Sequence, residues 1–180
     1  MSTSCQLRFV DRGQERVAQV YRNSDGYPEA IIPNLSHLQK LLRASGAQRN
    51  ASYTAAQFVF ISKLQHLEQM VYCQNDIYSG LPETVSEVLD LDSWQNVEIT
   101  PRYLLGHGVE DPAHGIRGNE DFLYLVELPG TSDDDWQVKI AAREHFPRWD
   151  SENTTQAFEV AEWGFSESLE EAVAEIGSKS

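Results

Sequence analysis

Four side chains that could bind a polar ligand lie within eight residues near the start of the chain. They are a cation, two carboxylates and a phenol, contributed by Arg22, Asp25, Glu29 and Tyr27. Asp25 can bond the backbone two residues on, and Gly26 is predicted to take a positive φ, so the segment is a turn. The residue types predict either a ligand site or a structural turn in which Asp25 caps the turn, Arg22 pairs with a carboxylate and Tyr27 covers the core.

A second group of chemically useful side chains lies in the glycine-rich stretch 101–121. It holds two imidazoles and several carboxylates, which are groups that Zn²⁺ and other divalent ions accept: His107, Glu110, Asp111, His114, Glu120 and Asp121. The spacing matches no metal motif, and a solvated connection between two strands is the competing interpretation. In the metal hypothesis the candidate ligands are His107, Asp111 and His114, and the candidate catalytic residues are Asp25, His107 and His114.

The run Tyr21-Arg22-Asn23-Ser24-Asp25-Gly26-Tyr27-Pro28 resembles a motif near the start of small bacterial and phage proteins of no assigned activity. The resemblance extends through the first 72 residues and to 122–127. Those proteins usually carry His where this chain has Asn23, which weakens any role of position 23 as a base or ligand. The resemblance implies a related fold and no function.

Composition excludes several classes of protein. The chain has 180 residues, enough for one domain with a sizeable core, and 41% of them are hydrophobic. Its net charge of −14 disfavours nucleic-acid binding, because phosphate backbones repel an acidic surface. No run of about 20 apolar residues predicts a membrane span, and no signal peptide is recognised. Cys5 and Cys73 form no metal or redox motif, so we expect a soluble, cytoplasmic protein with reduced cysteines.

The hydrophobic patterns predict an α+β fold, with a largely antiparallel sheet of about five strands packed against two main helices. Alternation with a period of two predicts strands at 5–10, 16–21, 95–100, 122–128 and 136–141. The first two of these strands form a hairpin.

Helical periodicity predicts the two main helices. The first begins at Asn34 or Ser36 and ends at Gly46. The second runs from Tyr53 to Tyr72 with Asn50 or Ser52 as its cap, and a short helix follows at 82–89. The pattern assigns five residues to the apolar stripe of the second helix: Ala56, Phe60, Leu64, Leu67 and Val71.

The chain is predicted to divide into an α+β domain at 1–149 and an acidic C-terminal helical segment at 150–180. The segment holds eight carboxylates and one lysine, with helical patterns at 154–163 and from Leu169 to Ile176. It either docks on the domain or forms an arm that captures a protein partner or a second copy of the chain.

Absence of the common catalytic motifs favours a non-catalytic protein, without a phosphate-binding loop, a nucleophile elbow or a zinc-protease helix. We therefore expect a binding or protein-interaction module with an acidic surface and no cofactor. The alternative is a small hydrolase or nuclease-like enzyme that uses a divalent metal at the Asp25 turn and the 101–121 stretch. A third hypothesis is imitation of nucleic acid by the acidic surface.

Overall fold

A computed structural model of the chain describes residues 3–14, 16–72, 106–116, 120–130, 134–145 and 165–178. Three predicted elements lie outside these residues, namely the strand at 95–100, the short helix at 82–89 and the helix at 154–163. None of the helices in the described ranges is long and apolar enough to cross a membrane.

One mixed sheet organises the described part of the chain. Its six strands are β1 (Cys5–Asp11), β2 (Val17–Arg22), β3 (His107–Glu110), β4 (Phe122–Leu128), β5 (Gln137–Ala142) and β6 (Phe165–Ser168). They lie in the order β3-β2-β1-β4-β5-β6. Neighbours are antiparallel except β1 and β4, which are parallel at the centre. Four of the five neighbouring pairs in the described sheet are antiparallel, which agrees with the predicted largely antiparallel sheet of about five strands. The sixth strand and the parallel pair were not predicted, and a parallel pair joined through helices leaves no local signal in the sequence.

β3 lies inside the stretch that was predicted to be a single long connection. It pairs with β2 at the edge of the sheet, with His107 opposite Arg22 and Gly108 opposite Tyr21. A Cβ at Gly108 would lie 2.5 Å from Cε1 of Tyr21, so glycine leaves room for that ring. Such a short edge strand with a glycine has no apolar alternation, which is why the sequence pattern does not predict it.

The first helix, α1 (Pro28–Ala44), begins six residues before the earlier of the two predicted starts. Pro28 occupies the first turn, where its missing N–H is harmless. Pro33 lies inside the helix and was wrongly interpreted as preceding its start. The predicted end is confirmed: Gly46 has φ +62°, its N–H donates to the Arg43 carbonyl, and the Ala47 N–H donates to Leu42, which is a Schellman motif.

The second helix, α2 (Ala51–Tyr72), begins where the predicted Asn50 cap places it, since Asn50 Oδ1 accepts from the Tyr53 N–H at 3.0 Å. The predicted apolar stripe is wrong in its first half, because Ala56 and Phe60 are exposed. The helix instead buries a row of small side chains and one phenylalanine: Ala51, Thr54, Ala55, Phe58 and Ser62. Small residues let the helix approach the sheet closely, while apolar periodicity favours the larger side chains.

The core lies between one face of the sheet and the helices, and the predicted α+β class is confirmed. Alternate residues of β1, namely Cys5, Leu7 and Phe9, are fully buried in it. A third helix, α3 (Leu169–Ser178), adds Leu169 and Ala172 to the same core.

Asp135 connects α3 to α1. Its Oδ1 accepts from the Gln39 side-chain amide at 2.7 Å and lies 3.7 Å from Arg43 Nη2. Its Oδ2 accepts from the backbone N–H of Glu170 at 3.0 Å, in the first turn of α3. One carboxylate therefore links the start of α3 to α1, and the rest of the acidic C-terminal segment, apart from β6 and α3, lies outside the described residues.

A buried polar network occupies the other face of the sheet. Gln6 and Gln19 are fully buried there, and their side-chain amides donate to Glu110 and to the Gly115 carbonyl. Arg8 adds two bonds to Gln19, at 2.8 and 3.1 Å. Because buried polar groups must be paired, this network fixes residues 111–116 against the sheet.

Candidate functional site

The turn at residues 22–29 is held from the inside by Arg22. This side chain is 2% exposed, and its Nε donates to the Ser24 carbonyl at 2.7 Å. Its Nη2 lies 3.7 Å from Oδ2 of Asp25. Two nitrogens of the guanidinium thus face the turn backbone and Asp25, as expected if Arg22 has a structural role, while Nη1 is buried without a partner in the described part of the chain.

The backbone of this turn differs from the prediction. Asp25 has the positive φ, +51°, and Gly26 does not. Gly26 is required for another reason: a Cβ there would lie 2.8 Å from the Cβ of Cys5 and 2.8 Å from the carbonyl carbon of Ser4. The Gly26 N–H donates to the Thr3 carbonyl at 2.9 Å, and the Tyr124 hydroxyl donates to the Gly26 carbonyl at 2.8 Å. Gly26 thus lets the turn pack directly on the start of β1.

The other two predicted ligand residues face outward. Tyr27 is 39% exposed at the N-terminal boundary of α1, and Glu29 is exposed in its first turn. Arg22 points inward, so these four side chains do not converge on one ligand. A ligand-binding role for Arg22, Asp25, Tyr27 and Glu29 stays a prediction, and their geometry serves the turn.

Beneath the turn lie a buried thiol and a buried phenol. Burial raises the pKa of Cys5, and the Glu120 carboxylate raises it further, against the opposing effect of Arg22. Burial also raises the pKa of Tyr124 well above its usual value, with smaller contributions from Cys5 and Glu29. Both groups are protonated at neutral pH, and a protonated buried thiol is not a nucleophile.

The candidate metal ligands are spread along the β3 region. His107 is buried on β3, whereas Asp111 is exposed and accepts from the Ala113 N–H at 2.9 Å as the cap of a short 3₁₀ turn. The side chain of His114 lies outside the described residues. Among the side chains that are described, no three from His, Cys, Asp and Glu are grouped so as to hold a metal ion.

At the opposite end of the sheet, a cavity of about 240 Å³ opens between three segments. One is the β1–β2 hairpin turn, one is the connection from α1 to α2, and one follows β4. Its lining consists of Asp11, Arg12, Gln14, Arg16, Gln48, Arg49, Asn50, Pro129 and Gly130. Three of the ten arginines in the chain therefore meet around one opening.

The three arginines lie on two separate segments of the chain. Arg12 and Arg16 flank the hairpin turn, where Gly13 has φ +75° and the Gln14 N–H donates to the Asp11 carbonyl at 3.0 Å. The Arg12 backbone N–H also donates to the Leu128 carbonyl at 2.8 Å, which ties the turn to the end of β4. Arg49 precedes α2, and its guanidinium carbon lies 5.2 Å from the centre of the Tyr53 ring.

Asp11 is the one carboxylate among the described residues that line the cavity. It is 9% exposed, and its Oδ1 accepts from the Ala51 N–H at the start of α2, at 2.9 Å. Oδ2 is buried and has no hydrogen-bond donor in the described part of the chain. The formal charge of the described lining is positive despite Asp11, because the described lining residues include three arginines and one carboxylate.

Sequence reasoning did not find this cavity. Asp11, Arg12 and Gln14 lie between the two strands of the predicted hairpin, and Arg49 is 37 positions after Arg12 in the chain. The signal in the sequence was an arginine on each side of the hairpin turn and another beside a helix cap, in a chain with few cations. Only the pairing of β1 with β4 and the packing of α2 bring these positions together.

Comparison with protein families, with curated proteins and with solved structures gave no match for this chain.

Proposed function

We propose that the protein is a non-catalytic binding protein, and that its ligand is a small anion held in the arginine-lined cavity. The carrying observation is the meeting of Arg12, Arg16 and Arg49 at one opening of about 240 Å³. Guanidinium groups bind carboxylate and phosphate oxygens through two parallel N–H bonds, which gives both affinity and orientation. The proposed ligand site of this binding protein therefore lies at the other end of the sheet from the Asp25 turn.

The distribution of charge supports an anion site in this cavity. The chain carries −14 overall, so its average surface repels anions, while the described lining of the cavity is positive. A concave site of one sign focuses the field and raises the local concentration of the opposite ion. The amino end of α2 also points its partial positive charge toward Asp11 and the cavity, which favours negative charge there.

The lining favours binding over catalysis. The described lining residues supply guanidinium, amide and a single carboxylate, without a serine, cysteine or histidine that could act as nucleophile or base. For the alternative, a metal-dependent hydrolase at Asp25, His107 and His114, the described residues supply no grouped ligand set.

A protein partner for the acidic segment 150–180 is a second proposal. In the described part of this segment, Leu169 and Ala172 of α3 are buried in the core, while Glu170 and Glu171 are exposed. The exposed carboxylates favour a basic partner. Deletion of residues 150–180 would remove Leu169 and Ala172 from the core and could unfold the protein. Substitution of Glu170 and Glu171 by Gln is therefore the sharper test. A basic protein that binds the wild type and this variant equally well would count against the proposed partner site.

The anion proposal is tested by nuclear magnetic resonance titration of the ¹⁵N-labelled protein. The panel contains phosphate, sulfate, citrate and adenosine monophosphate, with glucose and spermidine as neutral and cationic controls. We expect anions to shift the amide signals around Arg12, Gln48 and Gly130, and the controls to leave them unchanged.

Arginine variants assign the binding to the cavity. A hydrogen bond to a charged group contributes about 1.5–3 kcal/mol, so Arg12→Gln or Arg49→Gln should weaken anion binding by about tenfold or more. The matched control is Arg143→Gln, which removes an exposed arginine at the other end of β5, paired with Asp121 at 3.2 Å. An affinity that is the same in all three variants, or no anion that binds at the cavity, would refute the proposed function.

A further inference from the structure

The three arginines explain why an anion would bind in the cavity, but they do not explain why the carboxylate of Asp11 lines it. An anion site built only for charge has no use for a carboxylate, which repels the ligand. Asp11 nevertheless lies in the wall beside Arg12, Arg16 and Arg49, nine-tenths buried. Its Oδ1 is committed to the Ala51 N–H at 2.9 Å, and its Oδ2 has no donor in the described part of the chain.

An ionised carboxylate can only accept hydrogen bonds, so any ligand atom that meets Oδ2 must carry a proton. The arginines can only donate, and they require ligand oxygens that accept. A ligand that satisfies both sides is therefore an oxyanion that keeps a hydroxyl group. Hydrogenphosphate is such an ion at neutral pH, whereas sulfate has lost all its protons and would place a bare oxygen against Asp11.

We propose that Asp11 makes the cavity selective for the hydrogenphosphate ion, which keeps one hydroxyl group at neutral pH. This inference rests on the proposed function, because it assumes that the arginines bind an anion. The cavity of about 240 Å³ holds the volume of roughly eight water molecules, so it accommodates a phosphate ion. A zwitterion such as an amino acid also carries a donor and an acceptor, but the positive lining favours a ligand with net negative charge.

Oδ2 is closed to solvent in this structure, so a ligand reaches it only when the side chains around it move. Arg12, Gln14 and Arg16 are exposed on the hairpin turn, and exposed side chains change rotamer within nanoseconds. A ligand can therefore draw these guanidinium groups inward while its hydroxyl group reaches Asp11. Asp11 itself stays in place, because it is bonded to the start of α2.

The test compares phosphate with sulfate by calorimetric titration of the full chain at constant ionic strength. Leaving a buried carboxylate against an acceptor costs enough that we expect phosphate to bind at least about tenfold more tightly than sulfate. The variant Asp11→Asn retains an oxygen for the Ala51 N–H and replaces Oδ2 by an N–H donor of the same size. It should reverse the preference, weakening phosphate and strengthening sulfate.

Glu144→Gln is the matched control for the change in charge. Glu144 is exposed and lies beyond the far end of β5, so this variant should keep the preference for phosphate. Unchanged amide spectra outside the cavity show that Asp11→Asn is folded, and the ratio measured on the wild-type chain tests the inference without any variant.

Equal binding of phosphate and sulfate by the wild-type chain would overturn the role of Asp11 and leave the anion site standing. Binding of citrate or another anion by a chain that does not bind phosphate would also overturn the role of Asp11 and leave the anion site standing. Failure of every anion in the panel would instead refute the proposed function itself. A parallel titration uses glycerol phosphate, whose phosphate group has lost most of its last proton at neutral pH, and it should show weaker binding than inorganic phosphate. Tighter binding of the ester would overturn the role of Asp11.

Discussion

Substitution of Gly26 by alanine should destabilise the protein by about 2–4 kcal/mol. The added Cβ would lie 2.8 Å from the Cβ of Cys5 and 2.9 Å from its backbone nitrogen. Carbon atoms in contact are usually about 3.5–4.0 Å apart, so the turn and β1 must separate by roughly 0.7–1.2 Å. β1 cannot yield easily, because Cys5 is paired with Arg22 on one side and with Phe122 on the other.

The expected loss of stability in Gly26→Ala combines two effects. Overpacking of a buried contact costs about 1–3 kcal/mol. Separation of the turn from β1 also stretches the bonds of Gly26 to Thr3 and Tyr124, now 2.9 and 2.8 Å, and a hydrogen bond contributes about 1 kcal/mol. Stabilities of small domains are about 5–15 kcal/mol, so the loss is a large fraction of the total.

Urea unfolding followed by circular dichroism measures the effect as a lower midpoint at unchanged slope. The matched control is Gly177→Ala in α3, where a Cβ would meet nothing within 4 Å and a helical alanine should add about 0.5–1 kcal/mol. If Gly26→Ala unfolds within about 0.5 kcal/mol of the wild type, the close approach of the turn to β1 is refuted.

Three further predictions concern the turn, α3 and the buried thiol. Asp25 has φ +51°, so Asp25→Gly should be more stable than Asp25→Ala by about 1 kcal/mol in urea unfolding, and the opposite order would contradict the observed backbone. Asp135→Ala removes the bonds to Gln39 and to the Glu170 N–H, and hydrogen exchange in α3 should accelerate by about tenfold; unchanged protection would show that this carboxylate does not position the helix. Burial raises the pKa of Cys5, so its contribution is complete below about pH 8.5, where the unfolded thiol is still protonated, and falls above it. Between pH 7.5 and 9.5 the wild type should therefore lose about 1 kcal/mol more than Cys5→Ala, whereas parallel pH profiles would argue against the buried, protonated thiol.

The elements with local signals could be predicted from the sequence. The opening hairpin was predicted at 5–10 and 16–21 and is found as Cys5–Asp11 and Val17–Arg22. The Asn50 cap and the Gly46 stop are local bonding patterns, and both are confirmed. Each depends on residues within a few positions of one another, which is the range over which sequence patterns carry information.

Elements that depend on tertiary packing could not be predicted. The exposed Phe60 and the buried Ala55 and Ser62 show that apolar periodicity alone does not predict which face of α2 meets the sheet. The parallel pairing of β1 with β4 joins residues more than 110 positions apart.

The candidate sites follow the same rule. Arg22, Asp25 and Tyr27 were correctly placed together in a turn, but the burial of Arg22 directs its guanidinium to the backbone of that turn. The cavity was missed because its cations come from the hairpin and from the start of α2, two segments that only the fold brings together. A single arginine beside a turn does not indicate a binding site from the sequence. It does so only when the fold shows which other cations lie near it.

The most direct test of the anion site is a crystal structure of the protein soaked with tungstate, an oxyanion whose anomalous scattering marks its position. We expect one strong peak in the cavity, within hydrogen-bond distance of Arg12 or Arg16 and of Arg49, with phosphate at the same place in a second crystal. An empty cavity at a saturating concentration, or an ion bound only elsewhere on the surface, would refute the anion site.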